Sequence, residues 1–179
     1  MNRVVLIGFK SAGKTSAGRE LAGLLQVPFY DLDELLESEA HRRFHSPLNC
    51  WEVYTSYGQE AFQELEHESL KIFAQDADRF CLATGGGAPL LEANRPLLHS
   101  LGTVVFLDVD FDIIRDRLLS RPRIPAPLKG MRGVDDLKKI WLFRRDIYLS
   151  VADITVAIRD SSLTPQQIAA MVLERLKSV

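Results

Sequence analysis

The sequence feature that most constrains this chain is a glycine-rich loop at residues 8–15, which reads GFKSAGKT. The loop matches G-x-x-x-x-G-K-[ST], follows the apolar run Val4–Ile7, and precedes a segment whose apolar residues recur at helical spacing. A strand, a glycine loop and a helix in this order bind phosphate, because backbone N–H groups and the helix N-terminus attract anions. The loop therefore predicts a nucleoside triphosphate site, with Lys14 at the outer phosphates and Thr15 at Mg²⁺.

The composition is that of an ordinary globular protein, with 179 residues, 46% hydrophobic and 26% charged. We expect a single domain over residues 1–179, and we expect it to be monomeric. The net charge of −2 argues against general nucleic-acid binding, and no apolar run reaches the ~18 residues of a membrane span. Since the two cysteines form no C-x-x-C motif and the first residues leave no room for a signal peptide, we expect a cytoplasmic protein.

Predicted strands and helices alternate along the whole chain. The predicted strands cover residues 4–7, 27–30, 80–83, 103–107 and 154–158. The predicted helices cover residues 16–25, 34–43, 59–75, 89–100, 111–119 and 134–150, with a last helix that begins at Pro165 after the N-cap Thr164. This alternation predicts an α/β fold in three layers around a parallel five-stranded sheet.

A cationic segment lies far from the glycine loop. Ten of the 22 Lys and Arg residues fall between Arg115 and Arg145, against three acidic residues. Within it, Arg121–Pro127 contains three prolines, which exclude a helix interior. We expect residues of about 120–133 to form a mobile lid that closes over the polyphosphate. The alternative is a solvated helical face.

Three motifs follow predicted strands and should meet at one edge of the sheet, because ligands of such sheets bind beyond the carboxyl ends of the strands. They are the glycine loop, the pair Asp31 and Asp33, and Gly85–Gly87. One aspartate can serve Mg²⁺ and the other a substrate hydroxyl, or one can simply cap the helix that begins at Glu34. The triple glycine allows close approach of backbone to a ligand, or it is a tight turn.

An ordered set of motifs resembles the shikimate kinase family over nearly the whole chain. The motifs are residues 8–15, Asp31-x-Asp33, residues 58–66 (GQEAFQELE), residues 83–87 (ATGGG), Arg121-Pro122, Arg144-x-x-x-Tyr148 and residues 152–156 (ADITV). The resemblance implies a P-loop kinase with a nucleoside-monophosphate-kinase-like fold, a lid, and a substrate-side helical region at about 34–62. It also implies transfer of the γ-phosphoryl group of ATP to the 3-hydroxyl of shikimate, with Mg²⁺ as cofactor.

The resemblance implies a role for each matching residue. The implied nucleotide-binding residues are Ser11, Ala12, Gly13, Lys14, Thr15, Ser16 and Arg121. The implied catalytic residues are Lys14, Asp33 and Arg121, and the implied metal-binding residues are Thr15 and Asp31. The implied substrate-binding residues are Asp33, Gln63, Gly85, Gly86, Gly87 and Arg144. For Arg144, which would pair with the substrate carboxylate, the alternative is a surface arginine of the helix.

Two positions depart from the family pattern. Gln63 stands where the family has an arginine that grips the substrate carboxylate, and an amide cannot supply that charge-assisted, forked contact. In the lid, the family's Arg-Pro-Leu-Leu is replaced at residues 121–124 by RPRI, so Arg123 could take the role of Arg121.

Gln63 leaves three hypotheses open. The acceptor is shikimate, with a cation such as His41, Arg42 or Arg43 reaching inward unless these are solvated. It is instead a related polyol, sugar acid or amino alcohol. In the third hypothesis the chain is a nucleotide-binding regulator without catalysis, against which the intact Lys14 and Asp33 argue.

Overall fold

The computed structural model describes residues 3–120 and 133–178. Within these residues five strands form one sheet in the order β2-β3-β1-β4-β5, and every pairing is parallel. The strands are β1 (Arg3–Ile7), β2 (Phe29–Asp31), β3 (Phe80–Ala83), β4 (Thr103–Val109) and β5 (Ile154–Ile158). The predicted α/β class with a parallel five-stranded sheet is confirmed.

Helices follow each strand and precede the next. They are α1 (Lys14–Leu25), α2 (Leu32–Phe44), α3 (Cys50–Asp76), α4 (Asn94–Leu101), α5 (Phe111–Leu119), α6 (Val134–Val151) and α7 (Pro165–Lys177), with a short 3₁₀ helix at Ala88–Leu90. The connection from β1 to β2 runs toward one edge of the sheet and the later connections run toward the other edge, so right-handed crossovers place helices on both faces of the sheet. The apolar run Val4–Ile7 of β1 is consequently fully buried, which explains why it lacks the polar alternation of a half-exposed strand.

Several predicted helix boundaries were wrong, including the start of α1, which lies at Lys14 rather than at residue 16. Helix α2 begins two residues early, because the Asp31 side chain accepts a hydrogen bond from the Asp33 N–H and caps the helix there. Helix α3 begins at Cys50 rather than residue 59, since Asn49 and Glu52 form a reciprocal capping box. Gly58, with φ of 85°, interrupts that helix and hides its first turns from the apolar pattern. The helix predicted over residues 89–100 is a 3₁₀ turn followed by α4.

The predicted lid falls almost entirely outside the described residues. Residues 121–132 include both candidate lid arginines, Arg121 and Arg123. The cationic residues that flank this stretch lie on α5 and α6.

A buried ion triad joins the carboxyl end of β4 to two other elements. Asp108, only 2% exposed, accepts hydrogen bonds from Arg145 Nε at 2.7 Å and from Arg159 Nη2 at 2.6 Å. Burial alone would raise the pKa of Asp108, but the hydrogen bonds from Arg145 and Arg159 outweigh it and lower the pKa. The triad therefore fixes α6 and the end of β5 against the sheet.

Replacing Asp108 with asparagine should destabilise the fold. The substitution leaves two guanidinium groups without their shared carboxylate, which we expect to cost about 2–3 kcal/mol at pH 7. A carboxyl group with a lowered pKa stabilises the native state above its unfolded value of about 3.9 and loses that contribution as the pH falls. Urea unfolding at pH 7 and pH 3 should therefore show a gap between wild type and Asp108→Asn that shrinks in acid.

Asp116→Asn is the matched control, because Asp116 pairs with Arg115 at the surface and is 68% exposed. Its loss should stay below about 1 kcal/mol. Equal destabilisation by the two variants would contradict the structural role of the buried triad.

Candidate functional site

The glycine loop leaves the N-terminus of α1 open to an anion. Gly8 and Gly13 have φ of 147° and 89°, and Ser11 also has a positive φ, so the backbone curls around a central space. Gly13 is the N-cap of α1 and offers no side-chain oxygen to the N–H groups of the first turn. These unsatisfied donors and the helix dipole form an anion site.

Lys14 and Thr15 project from the start of α1 in different directions. The Lys14 ammonium is buried and donates to the carbonyl oxygens of Gly8 at 2.8 Å and Phe9 at 2.9 Å, so it crosses the loop. The Thr15 hydroxyl donates to Asp31 Oδ2 at 2.7 Å. Asp31 thus both caps α2 and contacts the phosphate loop, so capping alone does not account for it.

The hydroxyl of Thr15 and the carboxylate of Asp31 suit Mg²⁺, which prefers oxygen ligands and keeps several waters. In the described part of the chain, no cluster of three or more His, Cys, Asp or Glu side chains is arranged to hold a metal. Thr15 and Asp31 are the residues here that could hold a magnesium ion.

Asp33 lies beside the phosphate loop, in the first turn of α2. Its Oδ2 atom is 3.4 Å from the Lys10 ammonium, and its side chain is 35% exposed. Lys10 belongs to the glycine loop, so this pair joins the loop to the start of α2. The Asp33 carboxylate is consequently accessible and next to the place where phosphates would bind.

The triple glycine approaches this region at two of its three positions. A Cβ on Gly85 would lie 2.8 Å from Glu66 Oε1 and 3.1 Å from Asp33 Oδ1. A Cβ on Gly86 would lie 3.1 Å from the backbone nitrogen of Lys10, whereas a Cβ on Gly87 would face open space. Gly85 and Gly86 therefore lie tightly against neighbouring protein atoms and Gly87 does not, while the close approach of a ligand to the triple glycine stays a prediction.

Hydrogen bonds from three side chains fix the loop that carries these glycines. Thr84 donates to the Leu6 carbonyl at 3.1 Å, and the buried Asn94 amide donates to the Ala88 carbonyl at 2.9 Å. The Tyr148 hydroxyl donates to the Gly86 carbonyl at 2.6 Å. The loop is thus held by β1, α4 and α6 together.

Glu66 is a buried carboxyl group on α3, 2% exposed, next to Gly85. Burial, followed by the neighbouring Asp33, raises the pKa of Glu66 to about 8. None of the ion pairs within residues 3–120 and 133–178 includes it. Burial and Asp33 thus favour the protonated form of Glu66.

Arg144 faces the site from α6. Its guanidinium lies 5.5 Å from the centre of the Phe9 ring in the glycine loop, and its side chain is half-buried. Burial raises the pKa of the nearby Tyr148, and Arg144 partly offsets this rise. The position of Arg144 argues against a solvated surface arginine.

His41, Arg42 and Arg43 do not supply the positive charge that is missing at position 63. Arg42 pairs with Glu39 and its side chain is 72% exposed, while Arg43 pairs with Glu64 at 3.5 Å. His41 is exposed on the same helix. Gln63 is half-buried on α3, one turn before Glu66. The solvated alternative therefore holds for all three cations.

A cavity of about 460 Å³ lies on the opposite side of the phosphate loop, and sequence reasoning missed it. Its lining residues are Ser11, Gly13, Ser16, Arg117, Ser120, Leu163, Pro165 and Ile168. Arg117 donates to the Ser11 carbonyl at 3.2 Å. The residues come from the phosphate loop and α1, from α5 and its C-cap, and from α7 and the loop before it, so no local pattern could have indicated the cavity. Lys10 and Glu66 were missed as well, although both lie within the motifs.

Comparisons with known proteins agree on one family. The shikimate kinase family model matches residues 10–177. The shikimate kinase of Bacteroides fragilis is 39% identical over 161 residues, covering 86% of each chain. The chain belongs to the shikimate kinase family.

Solved structures of the family superpose on nearly all of the chain. The Acinetobacter baumannii shikimate kinase in complex with shikimate gives a TM-score of 0.84 at 26% identity, covering 99% of this chain and 94% of that one. The Aquifex aeolicus shikimate kinase gives 0.77 at 30% identity, covering 98% and 96%. As a family member this chain is a small-molecule kinase that uses ATP. In the described ranges, no helix is both long and apolar enough to span a bilayer.

The close contacts at Gly85 predict that an alanine there impairs activity, and Gly87 is the matched control. In Gly85→Ala the added methyl would push Glu66 and Asp33 apart, and displacement of about 1 Å at such a site costs about 10²-fold in kcat/KM for the acceptor. Gly87→Ala places its methyl in open space, at a residue with φ of −91°. It should change kcat/KM by about twofold or less.

Steady-state kinetics with each substrate varied, together with ATP affinity by calorimetry, distinguish the two variants. The Gly85→Ala loss should appear toward the acceptor while ATP affinity is kept. Similar kinetics for both alanine variants would refute the close approach at Gly85.

Proposed function

We propose that the protein transfers the γ-phosphoryl group of ATP to the 3-hydroxyl of shikimate. The observation that supports this most directly is the contact between Lys10 in the phosphate loop and Asp33, 3.4 Å apart. A nucleotide held by the loop would present its terminal phosphate to the carboxylate that receives the acceptor hydroxyl. Donor and acceptor would thus meet without a large rearrangement of the described residues.

On the donor side, the N–H groups of residues 11–16 and the Lys14 ammonium bind the phosphates. Lys14 would release the Gly8 and Phe9 carbonyls and turn to the β- and γ-phosphates. The purine ring would occupy the cavity beside Arg117, whose planar guanidinium stacks on aromatic rings, with Pro165 supplying an apolar wall. Mg²⁺ held by Thr15 and Asp31 would neutralise charge on the β- and γ-phosphates.

On the acceptor side, Asp33 orients the hydroxyl and accepts its proton. The hydroxyl oxygen forms a bond to the γ-phosphorus while the bond from that phosphorus to the β,γ-bridging oxygen breaks and ADP leaves. Arg144 pairs with the substrate carboxylate, and Gln63, Gly85 and Gly86 line the same pocket. A guanidinium suits a carboxylate because it can form two parallel hydrogen bonds.

We further propose that residues of about 120–133 act as a lid and that Arg121 or Arg123 meets the nucleotide from it. The remaining proposals are a single domain over residues 1–179, a substrate-side region at about 34–62, a monomeric state and the cytoplasm, where ATP is supplied.

The assay that tests this function measures ADP release from ATP and Mg²⁺ with shikimate, and then with cyclitols, sugar acids and hydroxy-amino acids. Shikimate should give the highest kcat/KM of the panel. Efficient turnover of another acceptor with none of shikimate would assign a different substrate. ATP binding without turnover of any acceptor would instead indicate a regulator.

Asp33→Asn should reduce kcat about 10²–10⁴-fold, because the amide cannot accept the proton of the acceptor hydroxyl. Affinity for ATP, measured by calorimetry, should be nearly unchanged. Glu34→Gln removes the adjacent carboxylate, which is exposed and paired with Arg19, and should leave kcat within about twofold. An equal loss of ATP binding and turnover in Asp33→Asn would refute the acceptor-side role of Asp33.

A further inference from the structure

The carboxyl groups of Asp33 and Glu66 both lie close to Gly85 but differ in their charged neighbours. Glu66 lies on α3 and Asp33 lies on α2, and both side chains approach Gly85. Asp33 is partly exposed and has the Lys10 ammonium 3.4 Å away. Glu66 is almost fully buried, and in the parts of the chain that the structure describes it joins no ion pair. Neighbouring carboxyl groups resist simultaneous ionisation, so the proton belongs on Glu66.

Gln63 is consistent with an uncharged Glu66. Residues three apart on a helix are neighbours, so Gln63 and Glu66 occupy adjoining places on the same face of α3. An arginine at position 63 could pair with Glu66 and keep it ionised. Gln63 offers no charge, and an ionised Glu66 would then be a buried, unpaired carboxylate, which is strongly unfavourable. The glutamine and the neutral glutamic acid therefore fit each other.

We propose that Gln63 and protonated Glu66 form an uncharged pair that lets the acceptor pocket bind an anionic substrate, and that loss of the Glu66 proton weakens this binding. The proposal rests on the proposed function, in which Arg144 supplies the positive charge for the substrate carboxylate. Glu66 is a positioning residue: its charge acts on the acceptor across Gln63 and Asp33, and it does not contact the reacting atoms.

The groups that face Glu66 from other elements do not mask this effect. Asp33 and Lys10 lie on the α2 side and in the phosphate loop, and Tyr148 and Arg144 lie on α6. Burial raises the pKa of Tyr148 above its usual value, so it stays neutral, and an arginine stays charged throughout the working range. His67, on the same helix as Glu66, is directed to Asn94.

The pH dependence follows from the pKa of Glu66, which burial and Asp33 hold at about 8. Below that value Glu66 is neutral and does not oppose an anionic acceptor. Above it, Glu66 becomes a second negative charge beside Asp33. Affinity for the acceptor should therefore fall as the pH rises through about 8, while affinity for ATP on the other side of the loop should not.

The test compares kcat and KM for shikimate at saturating ATP and Mg²⁺ from pH 6.5 to 9.5 in wild type, Glu66→Gln and Glu64→Gln. In wild type, kcat/KM for shikimate should fall about tenfold or more across this range, mainly through KM. Glu66→Gln cannot ionise, so its alkaline decline should be absent. Glu64→Gln removes an exposed carboxylate of the same helix, paired with Arg43, and should keep the wild-type profile.

Gln63→Arg provides a second test that does not alter Glu66 itself. Arginine at position 63 would pair with Glu66, hold it ionised and supply its own positive charge to the acceptor. The alkaline decline should disappear in this variant too, and its KM for shikimate at pH 9 should fall below that of wild type. Thermal unfolding of each variant verifies that it is folded.

The outcomes separate this inference from the function on which it rests. Turnover of shikimate with a flat wild-type profile, or a decline that persists in Glu66→Gln, would overturn the inference and leave the proposed function intact. An absence of shikimate turnover at every pH would overturn both.

Discussion

The site depends on one constraint, which is the parallel pairing of β1 with both β3 and β4. The register places Leu6 opposite Ala83 and opposite Val105, so the three strands end at the same edge. The glycine loop, the triple glycine and the Asp108 triad all begin within a few residues of those ends. Pairing β1 on both sides also buries it completely, which makes the loop that follows it a rigid support for phosphate.

The site also places positively charged side chains next to carboxyl groups. The described residues bring two cations, Lys10 and Arg144, to the acceptor side together with two carboxyl groups, Asp33 and Glu66. Asp33 is partly exposed and lies 3.4 Å from the Lys10 ammonium, whereas burial and the neighbouring Asp33 raise the pKa of Glu66 to about 8. In the proposed function, Asp33 is the carboxylate that accepts a proton, and the remaining positive charge suits an anionic acceptor.

Much of the fold could be predicted from sequence because the signals were local. The strands at residues 80–83 and 154–158 and the N-cap at Thr164 are short-range patterns, and the structure has them where they were predicted. The first turns of α3 were not predicted because Gly58 breaks the helical periodicity, although Asn49 caps the helix before it.

The candidate site was only partly predictable, for a physical reason. Motif residues such as Thr15 and Asp31 carry their chemistry in their type and position. The contributions of Arg117 and Glu66 depend on contacts between elements distant in the chain. Arg117 contacts Ser11 across more than a hundred residues, and the raised pKa of Glu66 comes from burial and from Asp33 on another helix. Neither burial nor such pairing can be deduced from spacing alone.

In the proposed function, the phosphate loop delivers a phosphoryl group to an alcohol held at Asp33, rather than to water. Phosphorus-31 NMR of the protein with ATP, Mg²⁺ and shikimate tests it most directly, since it identifies the product that carries the phosphorus. We expect the γ-phosphate resonance of ATP to decline as a phosphomonoester resonance grows in equal amount. Conversion of the γ-phosphate to inorganic phosphate alone, with shikimate unchanged, would contradict it.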